Sequence, residues 1–125
     1  MALLDEELTE QIIGCAIRVH KSLGPGLLES VYETCLAHEL AKAGLTVQRQ
    51  IELPIVYDGI RLECGFRIDL LVSSRVVVEL KCVEKILPVH EAQLLTYLKL
   101  SNHRTGLILN FFTKVLSEGI HRRVL

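Results

Sequence analysis

The segment from residue 66 to residue 111 most constrains the fold. Phe66 to Val72 and Val76 to Cys82 are two short aliphatic runs separated by a Ser73-Ser74 turn, and Pro88 then opens a helical stretch carrying Leu94, Leu95 and Leu98. Thr105 to Phe111 follows as an almost unbroken apolar run. Such a run reads as a strand covered on both faces, and strand, helix, strand implies a right-handed parallel crossover. The chain must therefore build a sheet with helices on it.

The elements before this segment supply the rest. Leu8, Ile12, Ile13, Ala16, Ile17 and His20 recur at helical spacing, and Asp5, Glu6 and Glu7 sit where the helix dipole favours negative charge. This predicts a first helix over residues 5 to 22. Gly24-Pro25-Gly26 breaks it, and a second helix is expected from Leu27 until Gly44 stops it. From Val47 the pattern becomes extended: Val47 to Tyr57, a hairpin turn at Asp58-Gly59, Ile60 to Cys64, then the two aliphatic runs. The tail from Val115 to Leu125 is a weak edge strand because Gly119 interrupts it.

Composition narrows the class. A chain of 125 residues is the size of one ordinary domain, so residues 1–125 are read as a single domain. Half the residues are hydrophobic but only 5% are aromatic, so aliphatic side chains must form the core, and the apolar excess hints at a self-association face and a homodimer. No apolar run reaches the length of a membrane span, and the N-terminus lacks a basic secretory start, which points away from membranes and toward the cytoplasm. Cys15, Cys35, Cys64 and Cys82 are too widely spaced for a zinc site and read as buried reduced thiols. A net charge of −1 offers no global field for nucleic acid, so any such binding must be local or metal-assisted.

Three charged residues stand in the two aliphatic runs. Alternation sends Phe66, Ile68, Leu70 and Val72 to one face and Asp69 to the other; Glu79 and Lys81, two apart, share a face opposite Val78 and Leu80. Two converging carboxylates repel and are costly to desolvate unless a cation joins them or one binds a proton. A hard divalent ion, Mg²⁺ or Mn²⁺, resolves that conflict, and Lys81 would add a positive charge beside a phosphate. A bare Asp/Glu/Lys ion pair is the bland alternative. Polar groups on the helices argue against it: Glu29 shares a face with Tyr32 and Leu36 and should point inward, and His90, Gln93, Tyr97 and Leu100 form a similar stripe. His90, close to a helix start, is read as a capping or packing group, and His121-Arg122-Arg123 as solvated surface.

With these residues in view, the chain resembles a known family. Gly26-Leu27-Leu28-Glu29-Ser30-Val31-Tyr32 matches the signature of the GxxExxY proteins, and the likeness continues through Ile68 to Val72, Val78 to Lys81, His90 to Leu100 and Gly106 to Phe111. That family resembles the PD-(D/E)XK nucleases, which implies a restriction-endonuclease-like α/β core: a mixed sheet flanked by helices in the order α-α-β-β-β-β-α-β. The resemblance implies metal ligation by Asp69, Glu79, the Leu80 backbone carbonyl and Glu29, with Lys81 as the catalytic lysine. Gln93 and Tyr97 match the Q-x-x-x-Y element of the RecB-like branch, which helps to place substrate and the lysine. Ile68 replaces the proline of the superfamily's name, and Phe112 stands where relatives usually carry a polar residue. The implied activity is metal-dependent hydrolysis of phosphodiester bonds in DNA or RNA; the alternative is a dimeric interaction or nucleic-acid-binding module that keeps the fold without turnover.

Overall fold

The computed structural model describes residues 5–63 and 65–125. Cys64 and residues 1–4 lie outside the described residues, and with them the expectation for the Cys64 thiol. The elements are α1 (Glu6–Leu23), α2 (Glu29–Lys42), β1 (Val47–Glu52), β2 (Ile55–Tyr57), β3 (Ile60–Leu62), β4 (Arg67–Val72), β5 (Val76–Lys81), α3 (Pro88–Ser101), β6 (Thr105–Asn110) and β7 (Ile120–Val124), with a 3₁₀ turn at Leu116–Gly119. Strands β1-β4-β5-β6-β7 form a five-stranded sheet in that order. The β5–β6 pair, joined through α3, is parallel, and the other neighbours are antiparallel. This mixed sheet flanked by helices is consistent with a restriction-endonuclease-like fold.

Each face has its own apolar layer. Ile12, Ala16 and Val19 of α1 and Tyr32, Leu36 and Leu40 of α2 pack on Leu70, Val72, Val78, Leu80, Leu107 and Leu109. Their spacing of three and four residues puts them on one side of each helix, as the periodicity requires. On the other face, Leu94, Tyr97 and Leu98 of α3 cover Ile68, Leu71, Val77 and Ile108. Gly106 lets α3 approach, since a Cβ there would lie 2.8 Å from a methyl of Leu94. The central strands β5 and β6 are buried along almost their whole length, which explains their continuous apolar sequence.

Two expectations are corrected and one is met. The extended run from Val47 to Tyr57 divides at Leu53-Pro54: the Leu53 N–H donates to Phe66 O at 2.9 Å, and β2 and β3 leave the main sheet as a separate hairpin. Its turn has positive φ at both Asp58 (50°) and Gly59 (77°), the geometry that matches strand twist in a two-residue hairpin. The tail forms the expected edge strand, β7, and Gly119 before it fits where a Cβ would lie 2.4 Å from Asn110 O. The basic tail is not merely solvated, since Arg123 and His121 both pair with Glu91 of α3.

Other expectations agree with the structure. His90 caps α3, its Nδ1 accepting the Leu87 N–H at 2.9 Å. Cys15 is buried, Cys35 and Cys82 are half-buried, and all three are free thiols. Among the described residues no helix is long and apolar enough to cross a membrane.

Candidate functional site

The site begins where β4 and β5 part. Their ladder runs Val72↔Val76, Leu71↔Val77 and Leu70↔Val78, and then stops. Beyond it, side chains replace the backbone rungs: the Leu80 N–H donates to Asp69 Oδ2 at 2.9 Å, and the Asp69 N–H reaches Glu79 Oε1 at 3.4 Å. On the other flank of β4, the register skips from Arg49↔Leu70 to Ile51↔Ile68, and the intervening Gln50 has φ of 51°. A left-handed residue in a strand locally increases twist and redirects side chains. The expected alternation fails at this point. Leu70 and Val72 pack beneath α1 and α2, whereas Ile68 packs in the α3 layer and Phe66 is partly exposed with its ring 6.3 Å from that of Tyr97. Asp69 lies at the change of face.

Glu79 is only 6% exposed, while Lys81 beside it is half-buried. Burial, then the adjacent charge of Asp69 and a hydrogen bond with its side chain, push the Glu79 carboxyl from its ordinary 4.5 up to about 9; the Asp69 N–H and then the Lys81 charge oppose this. At neutral pH, without a cation, this carboxyl holds its proton. The Tyr97 phenol is also raised, by burial and then by the charges of Glu79 and Asp69, which it faces from α3. Gln93, one turn earlier, is half-buried, and Leu100 at the end of the expected stripe is largely exposed.

Glu29 departs from expectation. It is the first residue of α2 and is exposed, because a side chain in the first turn projects past the packed part of the helix. It lines a cleft of about 260 Å³ with Ser30, Glu33, Gln50, Asp69 and Leu80, and its charge contributes, after burial, to pushing the Cys82 thiol up to about 11. The inward acid is Glu33, one turn later. It is 7% exposed, accepts from Arg49 Nη2 at 2.9 Å and Nε at 3.1 Å, and also accepts from Gln50 Nε2. Gln50 Nε2 reaches Asp69 Oδ1 at 3.4 Å as well, so one amide spans both acids. Glu33 was legible, since it precedes Leu36 and Leu40 by three and seven residues; nothing local marks Gln50.

Tyr32, the tyrosine of the signature, serves the fold. Its ring stacks on Phe111 with centroids 4.5 Å apart, and its hydroxyl donates to Gly24 O and accepts the Leu27 N–H at 3.1 Å. It thereby fixes the loop that ends at Glu29. Asn110 has a similar duty: its side chain donates to Val83 O at 2.8 Å and accepts from the N–H groups of Val83 and Phe112, both at 3.2 Å.

Among the described residues, no group of three or more His, Cys, Asp or Glu side chains is arranged to hold a metal ion. Asp69 and Glu79 nevertheless make a pair of carboxylates in mutual conflict, with the Leu80 main chain held against Asp69. One or two carboxylates with water completing the shell is the donor set that Mg²⁺ prefers, so these residues fit a hard divalent ion.

A protein-family model described as the PD-(D/E)XK nuclease superfamily matches residues 6–123. No curated protein and no solved structure matches the chain.

Proposed function

Because the chain belongs to the PD-(D/E)XK nuclease superfamily, we propose that it hydrolyses phosphodiester bonds of DNA, or of RNA, at Asp69, Glu79 and Lys81 with Mg²⁺ or Mn²⁺ as cofactor. The observation that carries this reading is the pairing of Asp69 with Glu79 across the parted strands. A divalent ion bound by these acids would supply Lewis acidity to the phosphate and acidify the attacking water. Asp69, Glu79 and the Leu80 carbonyl would hold it; Glu29, exposed on the rim of the same cleft, would act on substrate or on outer water. The ammonium of Lys81 would neutralise charge on the phosphate. Glu33 and Gln50 would orient Asp69, and Gln93 and Tyr97 would position Lys81 and substrate from α3. The free thiols of Cys15, Cys35 and Cys82 suit a reducing, cytoplasmic setting.

The test is to incubate the purified chain with labelled single-stranded, duplex and branched DNA and with RNA, with and without Mg²⁺. Cutting that requires the metal and disappears in Asp69→Ala and Lys81→Ala supports the reading. Metal-dependent cutting unchanged in both variants refutes this site as its source.

One observation favours a second reading, a dimeric module without turnover. The β2–β3 register puts Ile55 with Leu62 and Tyr57 with Ile60 on one face, and Tyr57 and Ile60 are 72% and 59% exposed. A two-stranded hairpin is marginal alone and gains from being covered. Sedimentation showing only monomer at every concentration would count against it.

A further inference from the structure

Residues 24–30, a loop and the first two residues of α2, line three clefts in succession. Glu29 and Ser30 border the acid cleft with Asp69. Gly26, Leu27 and Leu28 border the next, of about 580 Å³, whose far wall is Cys82 and Phe112. Gly24 and Pro25 border a third, of about 480 Å³, with Lys21 and Lys114. Among the described residues, no basic side chain lines the middle cleft, and the carboxylate of Glu29 at its edge would repel a phosphate. It presents exposed apolar side chains instead: Phe112 is 46% exposed and Leu28 73%.

Anionic chemistry is answered on both sides of that surface, by lysines at one end and by acids suited to a divalent ion at the other. A polymer alternating phosphates with apolar faces has this pattern, and a second copy of the chain has no such alternation to offer. Base faces are available only in an unpaired strand, because a duplex stacks them away. We propose that Phe112 and Leu28 form a stacking platform for an unpaired base beside the cleaved phosphate, with a neighbouring phosphate held at Lys21 and Lys114, so that the substrate is single-stranded. This rests on the nuclease reading of the acid cleft, and it makes Phe112 a specificity-determining residue.

The test measures binding by fluorescence anisotropy, with Ca²⁺ present, to a short DNA strand, to the same sequence as a duplex, and to an abasic strand with identical phosphates. The wild type is expected to favour the natural strand. Phe112→Ala should weaken that binding by roughly 5- to 150-fold, the worth of one base stacked on an aromatic ring. Phe112→Trp should retain it, Leu28→Ser should give a smaller loss, and abasic binding should not respond to Phe112→Ala. Equal binding of the natural strand by wild type and Phe112→Ala, or equal wild-type affinity for natural and abasic strands, overturns the proposal. So does a sedimentation shift showing that Phe112→Ala separates a dimer while strand binding is unchanged. Cutting is scored separately: Asp69-dependent cutting indifferent to Phe112 sinks only the platform, whereas Phe112-dependent binding without any cutting sinks only the nuclease reading.

Discussion

The Leu80 N–H donates to Asp69 Oδ2 at 2.9 Å, so a carboxylate occupies the place of a strand rung where β4 and β5 separate. The acid is therefore part of the sheet's hydrogen bonding as well as of the candidate site. Asp69→Asn keeps an oxygen for Leu80 and removes the charge. The fold should survive and, if the site cuts, metal-dependent cutting should fall roughly 100-fold or more. Circular dichroism and a cleavage assay check this pair of outcomes; loss of the fold would mean that the charge itself is structural.

Glu79 makes stability depend on pH. Its carboxyl is raised from 4.5 to about 9 in the folded chain, so the folded state binds the proton more tightly than the unfolded state. That contribution is fully present below 4.5 and is lost as the pH rises toward about 9. The metal-free chain should lose stability across this window, by at most about 1.4 kcal/mol per pH unit from this group. Glu79→Gln should flatten that slope and raise the Tm of the metal-free chain at pH 8. Thermal melts of both forms at several pH values decide it, and parallel profiles would show that Glu79 is not a buried neutral acid.

Gln50 spans Glu33 and Asp69 while itself adopting a left-handed backbone. Gln50→Ala removes the orienting amide and leaves the Arg49–Glu33 ion pair. If Asp69 holds the ion, Mg²⁺ affinity should drop roughly 10- to 100-fold, as for other groups that orient a metal ligand. Calorimetric titration would show it; unchanged affinity would remove Gln50 from the site.

Tyr32→Phe keeps the ring on Phe111 but leaves Gly24 O and the Leu27 N–H without the hydroxyl. Unfolding in urea should show a loss of about 1–3 kcal/mol. A variant as stable as the wild type would mean that water replaces the hydroxyl and that the loop is not held by Tyr32.

Periodicity in the sequence was enough to set three helices, the crossover through α3, the strands carrying Asp69 and Glu79, and the apolar layer under each helix. These are local consequences of side-chain repeats of 3.6 and 2 residues, which any buried element must obey. Glu33 belongs to the same pattern as Glu29, but Glu29 stands at a helix start, where spacing alone does not dictate burial. Only the assembled structure decided that the ladder ends at Leu70↔Val78, that Ile68 changes face, that β2 and β3 leave the sheet, and that Gln50 spans two acids. Each of these depends on which distant strand or helix lies alongside. Missing rungs and desolvated carboxyls are properties of packing between segments remote in the chain, and no local repeat encodes them.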